Sequence, residues 1–92
     1  MSSSSPPRFT GKQGQYLAFI YTYTLINRQP PAEADLQRFF QVSPPTVHQM
    51  IVELERRGLI SRVPGQPRTI RVTLTVDELP RLQPIETTAA RY

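Results

Sequence analysis

The chain has no cysteine, a single histidine and no long apolar run, and each absence removes a class of function. Without cysteine, neither a disulfide framework nor a thiolate metal site can form, which suits a reducing cytosol. The most apolar window, residues 17–26, is interrupted by Thr22 and Thr24. A membrane span needs roughly 20 apolar residues, so this window reads as a buried helix. Residues 1–7 are serines and prolines after Met1, without the basic start and apolar stretch of a secretory signal. No glycine-rich phosphate loop and no carboxylate cluster with ligand spacing occurs. Glu53 and Glu55, two apart on a helix, point to different sides and make no acid–base pair. The expectation is a cytoplasmic, non-enzymatic protein with no metal, cofactor or small-molecule ligand, and no membrane partner.

What is present is positive charge carried by one residue type. The net charge is +4, and ten of the eleven basic residues are arginine. The planar guanidinium fork suits phosphates and guanine edges better than the point charge of lysine.

The order of elements follows from caps and periodicity. Thr10 and Gln13 have the spacing of a capping box. From Gly11 to about Arg28 the pattern is helical, and the prolines at 30 and 31 end it. A short second helix is predicted from Ala32 or Glu33 to about Phe40, with Glu33 and Asp35 in the first turn and Leu36, Phe39 and Phe40 buried. Ser43 as N-cap and Pro44 at the first helical position open a third helix, which runs to about Arg57. Its apolar stripe is Val47, Met50, Ile51 and Leu54, and Gly58 stands at the C-terminal cap. A short and a longer helix joined by a few residues make a helix-turn-helix. After Gly58 the period becomes two. Residues 59–63 and 69–74 read as strands around the turn cluster 64–67. The fold class is therefore mainly α with a small β-hairpin: a winged helix-turn-helix of three helices and a two- or three-stranded antiparallel wing. Residues 1–9 are expected as a disordered arm, 10–76 as the domain and 77–92 as a tail.

Over roughly residues 10–74 this pattern resembles the DNA-binding domain of the LexA repressor family and, more loosely, MarR-type winged helices. The resemblance rests on Thr10 and Gln13, Pro30-Pro31, Ser43-Pro44, the string Leu54-Glu-Arg-Arg-Gly-Leu-Ile60, Gly65 at the wing tip, and Arg68 and Ile70 on the return strand. It implies a transcription regulator that binds operator DNA. That family usually carries a C-terminal self-cleaving protease domain; the residues after Leu74 do not accommodate one, so the expectation is that the cleavage switch is absent. The exposed residues Pro45, Thr46, His48 and Gln49 also differ from that family's usual set, so its operator does not carry over.

One α-helix fits the major groove, where short polar side chains near the helix start reach base edges. The candidates are Ser43, Pro45, Thr46, His48 and Gln49. Gln49 suits a two-pronged pairing with adenine, Thr46 a thymine methyl or a phosphate, and His48 a guanine or a phosphate. Ser43 is a cap first and a phosphate contact second. The free N–H groups at the start of this helix form a natural phosphate site. Arg62, Arg68 and Arg71 are expected along one side of the wing, facing the phosphates or the minor groove, with Arg68 the leading phosphate contact and the wing the main source of affinity. Arg8 and Lys12 add backbone contacts, while Arg56 and Arg57 complement the helix C-terminus.

The first helix is apolar around most of its circumference. Either a homodimer forms on Tyr16, Phe19, Tyr23 and Ile26, or the N-terminal arm or residues 76–82 fold back over it. The leading function is sequence-specific binding of double-stranded DNA. The alternatives are a winged helix used only for protein–protein contact and a non-specific nucleic-acid binder.

Overall fold

Each helix starts where its own side chains can satisfy the N–H groups that a helix start leaves unpaired. In the computed structural model, which describes residues 8–85, the Thr10 side-chain oxygen accepts from the Gln13 N–H at 3.1 Å. Gln13 returns the bond, its amide oxygen accepting from the Thr10 N–H at 3.0 Å. Helix α1 follows as Gly11–Asn27 and ends at Arg28, whose left-handed backbone (φ 61°) closes the last turn onto Thr24. Helix α2, Glu33–Phe40, is opened by Asp35, which accepts from the Ala32 N–H at 2.8 Å. Helix α3 is Pro44–Arg56 with Ser43 as its cap. Between α2 and α3 the chain turns on Gln41, held left-handed at φ 58° by an N–H bond to the Gln37 carbonyl.

Gly58, at φ 76°, takes the left-handed position after α3 that a side chain would strain. The wing then forms from β1, Ile60–Ser61, paired antiparallel with β2, Arg71–Val72, in the register Ile60 to Val72 and Ser61 to Arg71. There are two strands, and both are shorter than the alternating pattern suggested. The reason is local: towards the tip, the Thr69 hydroxyl replaces the ladder. Its oxygen accepts from the Val63 N–H at 2.9 Å, and its O–H donates to the Gln66 carbonyl at 3.0 Å. At the base, Thr73 bonds the Leu59 and Gly58 carbonyls. Pro64 and Gly65 (φ 79°) occupy the middle of the tip turn, closed by the Gln66 N–H on the Val63 carbonyl.

The core lies between α1, the α2–α3 pair and the inner side of the wing. It holds Tyr16, Leu17, Ile20, Leu36, Phe40, Val47, Ile51, Leu54, Leu59, Ile60 and Ile70. Tyr16 stacks on Phe40 at 4.2 Å, and Phe19 lies against Phe39 at 4.7 Å. Burial pushes the Tyr16 hydroxyl up to about 12.

This packing overturns the helix-1 dimer surface. Tyr16 and Phe19 are buried in the chain's own core, Tyr23 is half-buried, and of the four residues expected at that interface Ile26 alone is exposed. The rest of the buried run 13–20, on the side of α1 that carries Gly14, Gln15 and Ala18, meets the segment after the wing, which folds back over the helix. The Gln15 amide nitrogen donates to the Arg81 carbonyl at 3.0 Å, and its oxygen accepts from the Gln83 N–H at 2.8 Å. Leu79, Leu82 and Ile85 pack on the core, as does Phe9. Gly14 marks the crossing: a Cβ there would lie 2.9 Å from Phe9 and 3.0 Å from Pro80. Residues expected as tail from 77, and Phe9 from the arm, are thus part of the packed unit up to Ile85. The expectations for residues 1–7 and 86–92 lie outside the described residues. No described helix is long and apolar enough to cross a membrane.

Candidate nucleic-acid interface

The start of α3 is built differently from a phosphate-binding helix end. Pro44 and Pro45 occupy its first two positions and carry no N–H. The Thr46 N–H, the next donor, goes to the Ser43 side chain at 3.4 Å, and the Val47 N–H goes to the Ser43 carbonyl at 3.2 Å. The expected cluster of free N–H groups is therefore absent. The Ser43 and Thr46 hydroxyls, 2.9 Å apart and exposed, are the polar groups at this end.

Farther along α3, Val47, Ile51 and Leu54 are fully buried and orient the helix. At about 100° per residue, Val52, Pro45, Arg56 and Gln49 lie about 140° to 200° round from Val47, on the outermost strip. All four are exposed. Gln49 has no hydrogen-bond partner among the described residues, so its amide is available to a base edge. His48 lies to one side of the strip, where its ring Nδ1 meets the Glu33 carboxylate of α2 at 3.2 Å. The structure thus brings Ser43, Pro45, Thr46 and Gln49 to one exposed face and gives His48 an acidic neighbour.

Val52 and Arg56 belong to this strip and were not among the expected contacts. The signal was present as the spacing 45, 49, 52, 56, which repeats at helical intervals. Arg56 is held by Glu53, with contacts of 3.1 and 2.7 Å, and Arg57 reaches the same carboxylate at 2.7 Å. These hydrogen bonds hold the Glu53 carboxyl at about 2, well below the ordinary carboxylate range.

The wing arginines do not line one side of the hairpin. Arg71 pairs across from Ser61 on the outward face, while Arg62 falls on the parity of Ile60 and turns inward. Arg62 bonds the Glu55 carboxylate of α3 at 3.0 Å and is largely covered. Arg68 has left-handed backbone (φ 59°) and sends one guanidinium nitrogen back to the body. That nitrogen donates to Asp35 at 3.1 Å, to the Tyr23 hydroxyl at 3.1 Å and to the Pro30 carbonyl at 3.4 Å. Asp35, itself buried, also receives Arg38. A non-glycine residue persists in this backbone region when its surroundings over-determine it, as these bonds do. Arg68 is therefore a brace between wing and body, which displaces it as the leading phosphate contact. Arg71 is exposed and has no ion pair among the described residues. Lys12 is exposed likewise, whereas Arg8 lies 3.6 Å from Glu78.

Between α3, the start of α2 and the wing lies an open cleft of about 450 Å³. Glu33, His48, Arg62 and Arg68 supply its charged or titratable lining, and the wing tip forms its outer wall. A helix with an exposed outer strip, a clamped hairpin beside it and a cleft between them define a winged-helix DNA-binding domain.

Comparison with known proteins agrees. Residues 8–66 match the family described as iron dependent repressor, N-terminal DNA binding domain, and the chain belongs to that family. It is also similar to the LexA repressor of Thermotoga neapolitana, 37% identical over 67 residues that cover 73% of this chain and 34% of the relative. The LexA repressors of Ligilactobacillus salivarius and Thermotoga maritima are 34% identical over 74 residues and 30% identical over 67 residues. These alignments cover 75% and 73% of this chain, and 36% and 34% of the relatives. The chain thus spans about a third of the length of the curated relatives it matches. The family description names iron. Among the described residues no group of three or more His, Cys, Asp or Glu side chains converges as a metal site requires, so these residues do not fit that ion.

Proposed function

We propose that this domain binds double-stranded DNA sequence-specifically as part of a cytoplasmic, non-enzymatic transcription regulator, with α3 in the major groove. The observation that carries this reading is the exposed strip on α3, where Gln49 has an amide uncommitted among the described residues and Pro45 lies one turn before it. Thr46 and Ser43 contribute hydroxyls to the backbone or to the first base pair. His48 borders the strip on the side of the cleft, and Arg71 adds an exposed guanidinium on the outer face of the wing. In this arrangement Arg62 and Arg68 act mainly by holding the wing, and contact phosphate with whatever donors their braces leave over. The similarity to LexA repressors supports an operator-binding role, with the operator set by this chain's own strip.

Selection of bound duplexes from a random pool, repeated at two salt concentrations, tests the proposal. Enrichment of a defined sequence that survives the higher salt is the expected result. Binding without enrichment, lost at moderate salt, would indicate a non-specific nucleic-acid binder. An absence of binding would leave a protein-interaction module.

A further inference from the structure

The exposed strip on α3 carries one apolar side chain larger than proline, Val52, which is 43% accessible and packs no core. It lies three residues after Gln49 and four before Arg56, so polar groups bracket it along the strip. The geometry points to Val52 as a specificity-determining residue that reads the C5-methyl group of a thymine. This rests on the proposed DNA reading and adds the chemistry of one base contact.

The argument is one of matching surfaces. Base edges in the major groove are donors and acceptors except at the thymine methyl, which is their apolar feature. An exposed valine facing a polar edge would desolvate it without return, whereas against the methyl both lose water-exposed apolar surface. Valine in a helix is also held to essentially one rotamer, so its methyls are presented without an ordering cost on binding. Residues three apart on a helix are about 5–6 Å apart, and base pairs stack at about 3.4 Å. The thymine read by Val52 therefore lies within about two base pairs of the base that Gln49 contacts.

The test uses the full chain and a duplex recovered by the selection above, with each thymidine replaced in turn by deoxyuridine, which lacks only the methyl. One replacement per site is expected to weaken binding about fourfold, the equivalent of one buried methyl group. Val52→Ala should weaken binding to the unmodified duplex by a similar factor and lose the sensitivity to that replacement. Val52 is exposed, so this variant should keep the wild-type urea midpoint, which is measured alongside. The position should also lie within two base pairs of the one most affected by Gln49→Ala. Uniform binding of all deoxyuridine duplexes, or an unchanged sensitivity in Val52→Ala, would overturn the inference while leaving DNA binding intact. Failure to enrich any duplex would instead remove the sequence-specific reading beneath it.

Discussion

The outer strip of α3 and the wing were both expected to face DNA, yet they are built differently: the strip is mostly uncharged, and the wing carries three arginines. On α3, Gln49 points outward with no partner among the described residues, and the caps beneath it are satisfied locally. On the wing, Arg62 is drawn to Glu55 and Arg68 to Asp35, leaving Arg71 as the wing arginine without an ion pair among the described residues. In the proposed reading the strip is a surface for contact, while the wing is first a structure that must be held. Positive charge counted along a chain says little about which charges are available, because each guanidinium can be spent inside the molecule.

The sharpest way to break this comparison is at Asp35, on which the wing brace converges. Asp35→Ala removes the acceptor of the Ala32 N–H and of Arg68 and Arg38. It should lower stability to urea by about 2–3 kcal/mol, the loss of a helix cap plus buried hydrogen bonds to charge. A change below about 0.5 kcal/mol would mean that the wing is not held there.

Gln49→Ala tests the other side. It should weaken binding to a selected duplex about tenfold, roughly 1.4 kcal/mol, with the urea midpoint unchanged. The two regions should separate again in titrations against salt. Arg71→Ala should reduce the slope of log K against log salt by about one unit, as expected for a lost phosphate contact. Arg62→Ala should change that slope less and cost up to about 1 kcal/mol of stability, as a partly exposed brace does.

The smallest effect belongs to the end of α3. Because the Glu53 carboxyl is held at about 2, below its ordinary value of 4.5, its contribution is present above pH 4.5 and fades as pH falls towards 2. Glu53→Gln should flatten that part of the urea midpoint's pH dependence, and an unchanged profile would show that the Arg56 and Arg57 pairs add nothing.

Much of the fold was legible because its signals are local. The Thr10–Gln13 box, the Ser43 cap and the Gly58 stop act over three or four residues and depend on no distant partner. The same holds for the outward direction of Thr46 and Gln49, once Val47, Ile51 and Leu54 are assigned to the core. The proline pair at the start of α3 also announced, through its missing N–H groups, that this helix end is a poor phosphate site, though helix position alone suggested the opposite. The wing arginines were less legible. Alternation ties Arg71 to Ser61 and Arg62 to Ile60 only once the pairing register is known. The destination of Arg68 depends on Asp35, 33 residues away. The burial of α1 was half legible: its apolar surplus called for either a second copy or a covering segment, and residues 76–82 were one candidate cover, but 79–85 pack as an irregular strap with no periodicity to favour that choice.

The sequence by itself determined the order of three helices and a hairpin, the ends of each helix and the face of α3 that turns outward. Those features follow from backbone hydrogen bonding and from apolar spacing at the period of each element. Tertiary structure decided which arginines are free, what covers the aromatic side of α1, and why Gly14 stands where Phe9 and Pro80 cross. These depend on groups distant in the chain meeting within a few ångströms, and no local pattern encodes such a meeting.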